Sequence, residues 1–449
     1  MMKRRDLTRG DISHVIWHLS IPLILSNVFN TIFEITDAVF IGKLGSAALA
    51  GVSIAGTVLF FLSTFAVGLG VGTVALVARY TGAKDYHKAN ETAVQSFFVG
   101  FVFSLLLGAI GYILSPSIMI ILGGTGEMFN HGISYIRTLF LGIFTMFFMF
   151  QGSAVLRGSG DTKTPMKISI FANLLNVFLD WVLIFGKFGF PAMGAQGAAL
   201  ATVISRGIGG FIIFILLLRG RHNIHLNFKE IDVNFDLMKK IIKIGIPTSI
   251  QMFIRSSSSI ILIKIVALFG QATIAAYGIG ARYFTLFLLP GFGFADASAT
   301  LVGQNLGSGQ PDRARQSALL SSFYYFLMLI GLSTLTFVFS KEIVMLFNSE
   351  REVVRIGMVW LRYMSIGALF LSFALVLSRS FQGAGDSLTP MFITVFALYF
   401  FQIPVAYILA IMLKWGITGI WISQPLAGAL QAILTIWLFL QGKWIHKKI

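Results

Sequence analysis

Apolar runs of about 20 residues or more alternate along the chain with short polar breaks, the pattern expected of helices that cross a bilayer. Twelve such runs are read, approximately 14–42, 47–80, 90–122, 128–157, 164–186, 194–219, 239–267, 272–306, 313–340, 351–382, 388–413 and 416–440. The longest polar stretch, Arg219 to Lys240, divides them six and six. The expectation is an all-α integral membrane protein of twelve transmembrane helices in two pseudo-symmetric six-helix lobes. The first lobe covers 1–219, a cytoplasmic linker 220–238 and the second lobe 239–449.

The first run breaks its own pattern. Between His14 and Gly45 it carries Pro22 near one end and Glu34 and Asp37 near the other. A carboxylate at the centre of a spanning helix costs about 2.5 to 3.5 kcal/mol on insertion scales. Two of them, three residues apart and therefore on one helical face, mark either a water-filled ion path or a position near the solvated membrane surface.

Composition strengthens the membrane reading: 56% of residues are hydrophobic and 12% charged, with a mean hydropathy of +0.84. The 46 Gly allow close helix approach. With no Cys, disulfides, thiol chemistry and Cys-containing metal sites are excluded. The net charge of +16 would suggest nucleic acid in a soluble protein, but here its placement decides. Most Lys and Arg outside the runs fall in the terminal segments and the loops on their side. The opposite loops and the span ends beside them hold six, namely Lys43, Lys187, Lys341, Arg351, Arg355 and Lys414. The positive-inside bias then places both termini in the cytoplasm, with the linker's basic residues topogenic and lipid-facing rather than a nucleic-acid site. The N-terminus lacks the apolar core and cleavage site of a signal peptide.

The two halves repeat. Ser20-Ile21-Pro22 matches Gly245-Ile246-Pro247, Leu44-Gly45 matches Phe269-Gly270, and GSGDTKTPM at 158–166 matches GAGDSLTPM at 383–391. Each pair is 225 positions apart; beyond a three-residue deletion, Gly194 and Gly197 fall 222 before Gly416 and Gly419. Six spans per repeat relate the halves by an axis along the membrane normal, an architecture of secondary transporters. The repeated GxGDxxTPM reads as a turn followed by Pro at a helix start.

The SIPLI opening, the stretch Asp37-Ala-Val-Phe-Ile-Gly-Lys-Leu-Gly-Ser-Ala-Ala-Leu-Ala, GSGDTKTPM, and TLVGQNLGSGQPDRA at 300–314 carry a family resemblance. Over essentially its whole length the chain resembles a multidrug and toxic compound extrusion (MATE) transporter. That implies two six-helix lobes exporting organic, often cationic, small molecules in exchange for Na⁺ or H⁺. The family's amino-lobe cation site maps onto Asp37 in span one, Asn176 and Asp180 in span five, and Ala198 and Thr202 in span six. The Glu of span seven and Asp of span ten that mark the NorM-like branch are missing from QMFIRSSSSI and SFALVLSRSFQGAG, so the chain resembles the DinF-like branch.

Depth agrees with that site. At about 1.5 Å per residue, Asp37 lies roughly 9 Å below Lys43, Asp180 roughly 10 Å below Lys187, Thr202 roughly 12 Å below Gly194 and Asn176 about 16 Å deep. Carboxylates, an amide carbonyl and a hydroxyl suit a hard cation such as Na⁺, and two adjacent carboxylates equally suit a shared proton. The residues do not choose between the ions.

Further expectations concern the substrate and the remaining charges. The drug is expected in the cleft between the lobes, walled by Glu34 and by Met146, Met149 and Gln151 of the fourth span; the alternative is that this span faces lipid. Arg255 and Asp296 are deep enough to pair, as a strut or as part of the pathway. Pro22 is a candidate bend through which ion occupancy at Asp37 biases the first helix. No HExxH, GxSxG or His pair facing an acid occurs in the spans, so no enzyme and no cofactor beyond the coupling ion is expected. The expected partners are small-molecule drugs or metabolites and membrane lipids, with no nucleic acid, for a monomer in a prokaryotic plasma membrane. A lipid-linked saccharide flippase of a related superfamily is the alternative; those usually carry extra spans and a more basic cavity.

Overall fold

A computed structural model describes residues 6–220, 224–226, 232–447 and 449. Its helices follow the apolar runs: α1 (Ile12–Gly42), α2 (Ser46–Gly82), α3 (Tyr86–Ile121), α4 (Gly126–Leu141), α5 (Ile143–Gly158), α6 (Lys163–Phe185), α7 (Gly194–Leu218), α8 (Phe235–Ala267), α9 (Gln271–Gly307), α10 (Pro311–Val338), α11 (Ser340–Met345) and α12 (Arg351–Gly383). After α13 (Leu388–Val395) the chain widens into a π-helical stretch (Phe396–Gln402). It then passes through α14 (Ile403–Tyr407) and a second π-helical stretch (Ile408–Met412) to α15 (Ile417–Leu440). Among the described residues eleven helical segments are long and apolar enough to cross a membrane, and twelve if α4 and α5 form one span. The chain is a multi-pass, all-helical membrane protein.

The fourth span is the one whose form the apolar pattern does not announce. It bends by 51° between α4 and α5, and no proline lies at the break. Gly142 sits there because α7 comes so near that a Cβ would stand 2.2 Å from a Val203 methyl. In the eleventh span the widened turns flank Pro404, whose missing N–H cannot bond the carbonyl one turn back.

Two compact units emerge, and each takes a piece of helix from the other half of the sequence. Unit 1 comprises Asp6 and Leu25–Ile246, and unit 2 comprises Leu7–Ile24 with Pro247–Ile449. The divisions fall just beyond Pro22 and directly before Pro247, matching positions of the repeat. Inside unit 1, the start of α8 lies against α2: a Cβ on Gly72 would meet the Ile241 carbonyl at 2.4 Å, and one on Gly245 the Gly68 carbonyl at 3.0 Å. Inside unit 2, the start of α1 buries Ile16, Leu19 and Leu23 with Phe294 and Tyr325, and the Trp17 and Phe294 rings meet edge to face at 5.2 Å. Of the expected linker, 221–223 and 227–231 lie outside the described residues. Its described part is tied to α3, with Gln95 donating to the Asp232 carbonyl at 2.8 Å and Asn234 to Glu91 at 2.7 Å.

The repeat extends to single contacts. In unit 1 Arg137 Nε donates to Ser115 Oγ at 3.1 Å while its guanidinium stands 5.2 Å from the Tyr112 ring. In unit 2 Arg362 Nε donates to Ser340 Oγ at 3.1 Å and stands 5.3 Å from the Phe337 ring. All three residues of each set match at an offset of 225. The repeated turn is alike too: Asp161 accepts from the backbone N–H of Thr164 at 3.0 Å, and Asp386 from that of Thr389 at 3.4 Å.

Candidate cation site

Three helices of unit 1 place the candidate ligands. On α6, Asn176 and Asp180 are four apart and so share a face; on α7, Ala198, Thr202 and Arg206 do the same. The C-terminal part of α1 supplies Asp37, with Glu34 one turn away. α6 and α7 pack along their lengths, helped by Gly197, where a Cβ would stand 2.7 Å from the Leu183 carbonyl.

The side chains converge. With its amide nitrogen turned to the acids, Asn176 donates to both Asp37 carboxylate oxygens at 3.1 and 3.2 Å, and its oxygen accepts from the Thr202 backbone N–H at 3.2 Å. This orientation is assigned from its partners, because the opposite one points the amide oxygen at acceptors. The Thr202 hydroxyl donates to the Ala198 carbonyl at 3.0 Å, so its lone pairs remain available. Asp180 is 1% exposed, and no hydrogen-bond donor among the described residues reaches either of its carboxylate oxygens. Its carboxyl lies within hydrogen-bonding reach of Asp37. Two ionised carboxylates cannot bond each other, so this approach requires a cation between them or a proton on one of them.

Arg206 lies within electrostatic reach of Glu34 and Asp37, and the buried Tyr135 of α4 within reach of Asp37, Asp180 and Arg206. Three carboxylates against one guanidinium leave two negative charges in excess when all are ionised. In a membrane interior such an excess is costly unless cations neutralise it. No group of three or more His, Asp or Glu side chains among the described residues has metal-holding geometry. The paired carboxylates, with the Asn176 amide nitrogen donating to Asp37 and the Thr202 hydroxyl on the neighbouring helix, fit a proton or a singly charged cation.

Neither Arg206 nor Tyr135 had a role in the sequence reading. Arg206 had a signal, one turn beyond Thr202 on the ligand face, whereas Tyr135 had none. The other expected residues scatter. Glu34 is exposed at the margin of the cluster. Met146 is buried and lines a small crevice with Leu139, Thr145, Thr202 and Arg206. Met149 packs on Gly209 and Gly210 of α7, and Gln151, fully buried, accepts from Thr73 at 2.8 Å. Pro22 lies inside an uninterrupted α1. The expected pairing of Arg255 with Asp296 is not formed. Asp296 instead meets Arg379 Nε at 3.3 Å, where α12 packs along α9.

The MatE family model matches residues 22–182 and again 247–408, two stretches whose starts are 225 apart like the internal repeat. The chain belongs to the MATE family. It is 30% identical over 435 residues to the probable multidrug resistance protein YoeA of Bacillus subtilis, covering 96% of this chain and 93% of the relative. With the probable multidrug resistance protein NorM of Thermotoga maritima it shares 28% identity over the same shares of each chain. Among solved structures, an outward-facing MATE family transporter of the MOP superfamily superposes with a TM-score of 0.92 at 24% identity, covering 100% of both chains. The fold of this MATE protein is thus that of a solved transporter.

Proposed function

We propose that the protein is a secondary antiporter that exports amphipathic, often cationic, small molecules in exchange for Na⁺ or H⁺, with Asp37, Asn176, Asp180 and Thr202 holding the coupling ion and the Ala198 carbonyl fixing the Thr202 hydroxyl. The observation that carries the reading is Asp180, sealed from solvent without a donor and facing a second carboxylate, so that one cation must enter or leave as the site changes state. Asp37 belongs to α1, the helix that contributes to both units, and is placed to pass occupancy on to that helix. Family membership supports transport, and the names of both relatives support multidrug substrates. Nothing favours a lipid-linked saccharide flippase. The missing acids in spans seven and ten support the DinF-like branch, and the basic loops support a plasma-membrane protein with cytoplasmic termini.

The test is efflux of a cationic dye from proteoliposomes under an inward Na⁺ gradient alone and an inward H⁺ gradient alone. Efflux driven by either supports the assignment; a rate that neither gradient changes sinks it.

A further inference from the structure

The candidate cation site contains one charge that binds no ion. Arg206 stands at the middle of α7, twelve residues from Gly194 and twelve from Leu218, where a guanidinium is costly unless acids or a cavity face it. Both are present. Arg206 and Thr202, one turn apart, line the crevice at the α4–α5 break together with Leu139, Gly142 and Met146. Through space the guanidinium faces Glu34, Asp37 and Tyr135. It makes no hydrogen bond and no ion pair among the described residues, so no single partner cancels its charge.

Unit 2 treats its buried charges differently. There Asp296 meets Arg379 at 3.3 Å, and a polar chain continues as Arg379 donates to Gln382 at 3.0 Å and Gln382 to Gln251 at 2.8 Å. Acid and guanidinium neutralise each other directly, and no cation is called for. At the positions of unit 2 that match Asp37, Asp180 and Arg206 stand Leu262, Val405 and Gly428. The copy without these acids is also without this arginine.

The sum of the buried charges limits what the site can take. Glu34 is exposed at the margin, where water and salt screen it. Further in, ionised Asp37 and Asp180 supply two negative charges and Arg206 one positive charge, which leaves one negative charge. One proton or one Na⁺ brings the sum to zero. A divalent cation would leave a net positive charge in a low-dielectric interior, where it is costly. Ligand chemistry alone would not turn it away, since Mg²⁺ is commonly held by one or two carboxylates with water completing its shell. We propose, on the antiport reading given above, that Arg206 is a tethered cation that sets the net charge of the site, so that it admits one monovalent cation and excludes divalent ones.

The probe is magnesium chloride, titrated calorimetrically into the purified full-length protein in phosphatidylcholine nanodiscs, with potassium chloride at matched ionic strength as the control. No gradient is imposed, so Mg²⁺ affinity stays readable whatever the antiport test returns. Arg206→Gln is expected to bind Mg²⁺ about tenfold more tightly than the wild-type protein, equivalent to about 1.4 kcal/mol. Adding Asp180→Asn to that variant should remove the gain. Arg206→Lys keeps the charge and should exclude Mg²⁺ as the wild-type protein does. An Arg206→Gln affinity equal to wild type overturns the proposal. So does a gain in Arg206→Lys as large as that in Arg206→Gln, the result expected if Arg206 matters only through its packing. Wild-type binding of Mg²⁺ that Asp180→Asn abolishes also overturns it, without any Arg206 variant having to fold.

Discussion

The two units repeat one order of spans and are opposites in chemistry. Carried across the repeat, the candidate ligand positions Asp37, Asn176 and Asp180 become Leu262, Phe401 and Val405, while Tyr135 becomes Trp360 and Ala198 becomes Ile420. Leu262, Trp360 and Ile420 are buried in unit 2's main apolar core, where the Trp360 and Trp421 rings lie 5.5 Å apart. In the other direction, the polar chain of unit 2 runs through Gln251, Asp296 and Arg379, whose counterparts in unit 1 are Ser26, Val71 and Ala154. What stayed identical is structural, namely the arginine bonded to a serine and laid on a ring, and the turn closed by an aspartate. Duplication preserved what holds a lobe together, and the charged side chains diverged.

The largest expected effect tests whether function sits in one unit alone. Asp37→Asn and Asp180→Asn should each fold yet lose gradient-driven dye efflux in proteoliposomes, whereas a native rate from either would assign coupling elsewhere. The second prediction inserts the acid into the other copy. Leu262→Asp should lower stability by about 2 to 4 kcal/mol, seen as a lower Tm in detergent, because its carboxylate would be buried without the amide and hydroxyl that surround Asp37. An unchanged Tm would mean that unit 2 already offers a polar niche there. Thr202→Ala removes one neutral ligand and should weaken ion affinity by about 1 kcal/mol, roughly fivefold, with efflux still measurable at high ion concentration. The smallest effect concerns what the copies share. Arg137→Ala and Arg362→Ala should lower Tm alike, each costing about 1 kcal/mol, and a difference well beyond that would show that one arginine does more than hold its helices.

Much of this was legible in the sequence, since spans need only hydropathy and a repeat only a constant offset. That Asp37, Asn176 and Asp180 come together was legible because acids at matching depth are rare in membranes. The missed features depend on which helices become neighbours. Asp296 is joined to Arg379 across 83 positions by the packing of α9 on α12, and hydropathy holds no trace of that choice. Tyr135 has an ordinary aromatic's signature until α4 brings it beside Asp37 and Asp180. The break at Gly142 likewise follows from the approach of Val203, 61 positions later.

The exchange of helix starts at Pro22 and Pro247 bears on how the chain is made. Unit 1 includes the beginning of α8, with Gly245 seated on Gly68 and Ile241 on Gly72. A nascent chain released from the ribosome only as far as 219 therefore holds all of α2 to α7 and still lacks one wall of its first unit. Meanwhile the start of α1, among the earliest segments inserted, waits for Phe294 and Tyr325 before its apolar side is covered. Biogenesis cannot finish the lobes one after the other, and the first half of the polypeptide must remain in the membrane unfinished until the second half arrives.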